Sequence, residues 1–253
     1  MLKRLRLSGF QLEVLLARSF DTFCADLGNL LLLLLQAPII AICVVVVWND
    51  IEEATDTLYF VLNLSAVWFG AINSCRELVK ERAIFLREAA LGLEASSYVL
   101  AKFLILSMLA LVQCLILTVI VNMFVPLTGN LIGHFLTLWA ASLAGSALGL
   151  LISACVSTPD KAVALVPIFL IPQILFSDMV MNSQHASNLT KNLKRLTITQ
   201  WSYLAEKELC QDIPDNWMIL GHWLVVILIG AVCLLLAALL LSRSAPAPRT
   251  KSS

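Results

Sequence analysis

At 253 residues, 60% hydrophobic and only 13% charged, with a mean hydropathy of +0.89, the chain lies far from soluble usage, where about a quarter of residues are charged. Seventeen Lys and Arg balance seventeen Asp and Glu, so no basic surplus points to nucleic acid. The seven cysteines form no CxxC pair, and Cys24, Cys43, Cys75, Cys114, Cys155 and Cys233 fall in apolar or flanking segments, which argues against a metal ribbon or a disulfide framework and reads as small buried hydrophobes.

Met1 to Arg6 is basic, but no short apolar core with a small-residue cleavage site follows, so the N-terminus reads as retained. Residues 1–26 form an amphipathic helix lying along the membrane. In "GFQLEVLLARSFDTFCADLGN", Leu12, Leu16, Phe20, Phe23, Cys24 and Leu27 share one stripe. Gln11, Arg18, Asp21, Thr22 and Asp26 lie opposite, while Glu13 and Leu15 break the pattern. A bilayer core of about 30 Å needs about 20 apolar residues per helix. Six runs qualify: Leu27–Trp48, Leu58–Cys75, Tyr98–Val125, Leu131–Val156, Ala162–Met181 and Trp217–Leu241. They predict an all-α, six-span membrane domain over residues 27–242, followed by a disordered tail at 243–253. The fourth run carries "AASLAGSALG", whose Ala141, Gly145 and Gly149 suit close backbone approach between helices. The fifth holds Pro167 and Pro172, each removing a backbone donor.

The Lys and Arg count orients the chain. With Met1 in the cytoplasm, thirteen of the seventeen fall inside and only Lys191, Lys194, Arg195 and Lys207 outside. Both termini are then cytoplasmic. So is the charged stretch "RELVKERAIFLREAALGLEASSYVLAKFL" from Arg76 to Leu104. Read as one helix over about 76–96, it sets Leu78, Val79, Phe85, Leu86, Ala89, Ala90 and Leu93 on an apolar face interrupted by Arg82. Arg76, Glu77, Lys80, Glu81, Arg87, Glu88 and Glu94 lie opposite, with Ile84 and Leu91 in the middle of the charge. Two aliphatic knobs there suit a protein partner in the cytoplasm; the plain alternative is scattered surface aliphatics. The outer segment 182–216 is too polar to span and reads as a re-entrant pair of short helices. Its Cys210 is either unpaired or bridged to a twin, and Asn188-Leu-Thr190 is a sequon that matters only in a eukaryotic host.

These residues resemble the transmembrane domain of type-2 ABC exporters of the G-subfamily, over nearly the whole length. "QLEVLLARSF" is similar to that family's connecting helix, and Glu81, Arg87-Glu88, Gly92, Tyr98 and Lys102 to its coupling helix and third span. "LVPIFLIPQILFSDMVMN" resembles its fifth span and "WSYLAEKELC" the segment before the sixth. The resemblance implies an exporter in which two such domains, copies or paralogues, pair around a central path. ATP and Mg would sit on a partner ATPase. No GxxxxGK[ST] loop occurs, so the expectation is a stand-alone permease, with its ATPase a separate chain, in a bacterial inner membrane. The resemblance and the residues' own placement together assign roles. Arg18 and Glu81 would form a polar relay, with Glu77, Glu81, Ile84, Arg87, Glu88 and Leu91 coupling to the ATPase. Phe69, Asn73, Ile171 and Gln173 would line the substrate path, and Met179, Val180 and Asp178 the outer gate. Asp178 stands where the family has glycine, and Ala66 replaces a substrate-contacting asparagine.

An intramembrane enzyme would need a nucleophile with a base. The three histidines, His134, His185 and His222, lie near the outer face, and "LAGSALG" is no GxSxG elbow, so the chain is read as a transport subunit with no catalytic or metal residues. A six-span channel or a scaffold is the remaining alternative. The uncharged Gln36, Asn63, Asn73, Gln113, Asn122 and Gln173 are few for an ion path, and read most simply as hydrogen-bond partners between helices. Neutral polarity within the spans favours a lipid-like or amphipathic cargo.

Overall fold

The computed structural model describes residues 2–49, 55–177, 179, 188–211 and 213–244, with side chains from Gly9 onward. Among the described residues eleven helices follow in order: α1 (Leu2–Ala25), α2 (Leu27–Trp48), α3 (Asp56–Ser74), α4 (Glu77–Lys80), α5 (Arg82–Ala89), α6 (Ala95–Phe124), α7 (Leu131–Cys155), α8 (Pro159–Leu175), α9 (Asn188–Lys194), α10 (Ile198–Leu209) and α11 (Asn216–Ser244). No strand occurs among the described residues. Among the described residues five helices are long and apolar enough to cross a membrane: α2, α3 running on through α4, α6, α7 and α11. The expected fifth run falls on α8, whose helix begins early with Pro159 in its first turn and stops at Leu175 after 17 residues. Pro172 lacks the N–H of the last turn, and Ser177 N–H closes a tighter 3.2 Å bond to the Ile174 carbonyl. Residues 180–187 and the tail from 245 lie outside the described residues, whereas 243 and 244 continue α11.

The centre of the bundle is the crossing of α3 with α7, and small residues set its distance. A Cβ added at Gly145 would come within 2.4 Å of the Val67 carbonyl oxygen, and one at Gly149 within 2.5 Å of that of Ala71. From the other side, Gly70 lies against the Ser142 carbonyl, 2.0 Å from where its Cβ would be. Backbone meets backbone here, as the small residues at 141, 145 and 149 suggest.

In α2 and α11 hydropathy is uniform and size carries the pattern. Leu33, Ala37, Ala41 and Val44 face inward on α2, and Val226, Gly230, Cys233 and Ala237 on α11. The larger Leu31, Leu35, Ile39 and Val46, with Leu224, Ile227, Leu228 and Leu235, face out. Outward-facing aliphatics cost nothing in a bilayer, so bulk goes out and small residues come in.

The amphipathic reading of α1 is corrected in register. Leu15, set aside as a break in the pattern, is its most enclosed leucine at 4% exposure, and Ser19 is buried beside it, while Phe20 and Cys24 are exposed. Leu15 joins a cluster with Phe85, Ala89, Tyr98 and Leu106. Protein packing and a bilayer surface would reward the same apolar side chains, so a single stripe does not identify the packed face.

The charged stretch is likewise two helices instead of one. The chain turns at Glu81 (φ −105°, ψ 12°), whose carbonyl starts α5 by accepting the Ile84 and Phe85 N–H groups. Gly92 at φ +106° ends it: Leu93 N–H reaches the Glu88 carbonyl at 3.2 Å and Gly92 N–H that of Ala89 at 3.0 Å. Gln11 of α1 clamps this turn, donating to the Gly92 carbonyl and accepting from Glu94 N–H.

Candidate functional site

The α4–α5 segment is held by three neighbours. From α7, the buried Ser153 hydroxyl oxygen accepts the Leu78 and Val79 N–H groups at 3.0 Å each, satisfying donors at the start of α4 that have no partner within the helix. Arg82 donates to the Val156 carbonyl at the end of α7 at 2.7 Å, a cation on the negative pole of that helix. From α6, the Lys102 ammonium reaches Glu81 at 2.6 Å and Glu77 at 3.2 Å, and the Tyr98 hydroxyl donates to Glu81 at 3.0 Å. From α1, Arg18 pairs with Glu88.

Burial by itself would push the Glu81 carboxyl up, but the Lys102 hydrogen bond and charge, with the Tyr98 hydroxyl, outweigh it and hold the group below the usual carboxylate range. The Arg18 guanidinium is raised, chiefly by its hydrogen bond to Glu88.

This arrangement divides the expected coupling residues. Glu77, Glu81 and Glu88 turn inward to cations of their own chain. Ile84, Arg87 and Leu91 face outward, Ile84 41% and Leu91 87% exposed. The expected direct pair of Arg18 with Glu81 is not made. Glu81 is taken by Lys102 one helix away, and Arg18 meets Glu88 two turns further along. Spacing along single helices could not show this, because Lys102 belongs to a different helix that returns over α4.

The expected path residues separate too. Phe69 is fully enclosed in the core and lines no open surface, since it lies on the side of α3 turned into the bundle; its neighbour Trp68 faces out, 38% exposed. Asn73 donates to the Gln113 side-chain oxygen at 2.6 Å, and Gln113 in turn donates to the Leu33 carbonyl at 2.6 Å, tying α3, α6 and α2 together. Gln173 accepts from Thr199 N–H at 3.1 Å and joins α8 to α10. Ile171 is exposed. Met179 packs half-buried against Tyr59, Phe60 and Tyr203. Asp178 and Val180 lie outside the described residues.

At the far end of α7 is a cluster that sequence reading missed. His134 and Glu206, each 1% exposed, form a buried pair between α7 and α10. His134 stacks on Tyr59 with ring centroids 5.4 Å apart. Its Nε2 lies 2.9 Å from the Thr128 carbonyl, which can only accept, so Nε2 carries a hydrogen and Nδ1 and Glu206 share one proton between them. No spacing signals a pair 72 residues apart. None of the seven cysteines pairs with another within the chain. Cys210 sits half-buried beside Tyr59, and burial pushes its thiol up to about 11.

No group of three or more His, Cys, Asp or Glu side chains able to hold a metal ion occurs among the described residues. The ion pairs and hydrogen bonds make an electrostatic mount for the α4–α5 segment, with two aliphatic knobs on its free face.

Comparison with known proteins gives the family. Residues 10–203 match the family described as ABC-2 type transporter. A relative, the ABC transporter ATP-binding/permease protein Rv1747 of Mycobacterium tuberculosis (strain ATCC 25618 / H37Rv), is 34% identical over 137 residues. That match takes in 51% of this chain and 16% of the relative's length. The chain belongs to the ABC-2 type transporter family, as the membrane component of an ABC transporter.

Proposed function

We propose that this chain is the permease subunit of an ATP-binding-cassette exporter of the G-subfamily type. In this reading it forms the substrate path together with a second copy or a paralogue. α8 completes a six-span layout, and α9–α10 is the re-entrant segment before the last span. The ATPase is a separate chain that carries ATP and Mg, and it docks on the free face of α4–α5. The cargo is amphipathic or lipid-like. The charged end faces the cytoplasm, in keeping with the distribution of Lys and Arg, and the membrane is a bacterial inner membrane.

The exposure of Ile84 and Leu91 carries the docking, because the opposite face of the same segment is fastened to α1, α6 and α7. A segment held on one side and open on the other can pass a push from a docked partner into the bundle. Burying one such aliphatic contributes on the order of 1.5–3 kcal/mol, enough to change binding about ten- to a hundredfold. Ile84→Asp should therefore lose the ATPase on co-purification and lose transport, with membrane insertion intact. Unchanged co-purification and transport in that variant would overturn the docking.

A further inference from the structure

The end of α7 away from α4 holds a buried ionisable pair, His134 and Glu206, that neither the docking nor the transport path uses. Its hydrogens can be counted. The Thr128 carbonyl can only accept, so His134 Nε2 donates to it at 2.9 Å. His134 Nδ1 and Glu206 Oε2 then share one proton, which leaves the pair neutral. Two buried oxygens remain without a donor, Glu206 Oε1 and Asn63 Oδ1. The Asn63 amide nitrogen already donates to the Tyr59 carbonyl at 2.8 Å, and its side chain lies beside the Glu206 carboxyl. A buried acceptor without a donor costs free energy, and two acceptors side by side do not relieve each other.

One more proton completes the set. Carried on Glu206 Oε1, it is donated to Asn63 Oδ1, while Oε2 accepts from the Nδ1–H of a His134 that now holds both ring hydrogens. That imidazolium keeps the Thr128 carbonyl on Nε2. Its face lies on the Tyr59 ring, with centroids 5.4 Å apart and planes 10° from parallel, an arrangement that favours a cation. Burial raises the Glu206 carboxyl above the usual carboxylate range, against the lowering effect of His134 and Asn63.

The other titratable groups nearby lie further out. From α3 come Tyr59 and Asp56, the latter at the surface and paired with Lys207 of α10 at 3.7 Å. α10 adds Glu208, which accepts from Gln211 at 2.8 Å, and is followed by the half-buried Cys210. α11 brings His222, beside Trp201. The turn at 126–130 carries no charge. None of these is a buried charge, so the pair's own hydrogens decide its state. Thr128 connects the pair to solvent: it is exposed, its N–H donates to the Tyr59 hydroxyl at 3.0 Å, and its carbonyl accepts from His134.

We propose that His134, Glu206 and Asn63 form a binding site for one additional proton, which fills as pH falls and clamps the α6–α7 turn and α10 onto α3 and α7. The sign follows from linkage. A carboxyl raised by folding adds stability that is fully present below its unfolded value of about 4.3 and is lost as pH rises through the raised value. That this end faces outward rests on the orientation proposed above; the proton site does not.

The test is pH-difference infrared spectroscopy of the purified full chain in nanodiscs, following the carbonyl stretch of a protonated carboxylic acid. Between about pH 8 and about pH 5, above the ordinary glutamate value of about 4.3, the band should grow as pH falls and be missing from Glu206→Gln. Asn63→Leu removes the acceptor of the new hydrogen, so it should weaken proton binding several-fold and move the midpoint down. A midpoint that rises in Asn63→Leu would mean that Asn63 serves the ionised carboxylate, and overturns the site. No Glu206-dependent band, or one of constant size across the range that reports only the shared proton, overturns it as well. Thermal melting confirms folded protein; should Glu206→Gln not fold, the direction of the Asn63→Leu shift decides. Amide exchange of residues 126–135, corrected for its intrinsic pH dependence, should be slower on the acid side, and equal protection at both pH values overturns the clamp. The measurements need neither ATPase nor transport, so a failed docking at Ile84 does not affect them.

Discussion

Arg18 of α1 holds Glu88 of α5, seventy residues along the chain, and so fastens the amphipathic helix to the last turn before the chain re-enters the bundle. The two side chains are 41% and 31% exposed, and an exposed pair contributes only about 0–1 kcal/mol, so the contact adds little to folding. Its effect should appear in coupling instead. Arg18→Glu and Glu88→Arg are each expected to lower transport-linked ATP hydrolysis while leaving the melting temperature nearly unchanged, and the double swap should recover part of the activity. A double variant no better than the worse single one would show that the pair does not couple these helices.

Lys102 is a different case. It is buried against Glu77 and Glu81, and removing one member of such a group leaves unmatched charge in a low-dielectric site, at a cost of about 3–5 kcal/mol. Lys102→Met should destabilise the detergent-solubilised protein far more than Arg18→Met does. Glu81 titrates below its usual value of about 4.3, so its contribution is complete above that range and is lost as pH falls through the lowered value. Acid unfolding curves should therefore show a steep limb below the normal carboxylate range that Lys102→Met flattens.

At the α3–α7 crossing a side chain has nowhere to go. Gly145→Val places its Cβ on the Val67 carbonyl, which is backbone and cannot swing aside. Overpacking typically costs about 1–3 kcal/mol where side chains can yield, and here the loss should be at the upper end or beyond. Gly221→Ala, with nothing within 4 Å, should be tolerated. Thermal melting of the two variants side by side checks the contrast.

Phe69, expected on the substrate path, is enclosed, and its neighbour Trp68 faces out. Truncating an enclosed phenylalanine costs about 3–5 kcal/mol, so Phe69→Ala should lower stability outright, whereas Trp68→Ala on the open face of α3 should move it by only about 0.5 kcal/mol. Should Phe69→Ala instead melt normally and lose transport, the path role carried by the family resemblance is the correct one.

The fold was legible where composition alone decides it. Long apolar runs located the five membrane-length helices, and Gly145 and Gly149 marked the close crossing before any geometry was known. Ile84 and Leu91 also stood out, because an aliphatic amid charges is visible in one dimension. What escaped were partnerships across helices. Glu81 could be named as a polar relay residue, but its cation, Lys102, enters from α6, and the pattern of a single helix carries no sign of it. The break at Glu81 was hidden for a related reason. Arg82 interrupts the apolar face, and that interruption is the corner where the chain turns to place Arg82 on the end of α7. In α1, Leu15 was misjudged because lipid and protein reward the same side chains.

α7 touches both polar clusters. Near its last turn Ser153 holds the start of α4, and near its first turn His134 holds Glu206 of α10. Its 25 residues span about 37 Å at about 1.5 Å per residue. Between those two ends its glycines lie directly on α3, with no side-chain layer to absorb strain. A rigid rod pinned so tightly at the Gly70–Gly145 contact has its two polar ends on opposite sides of the pin, so a displacement delivered to α4 would tilt the shaft and carry α10 in the opposite sense.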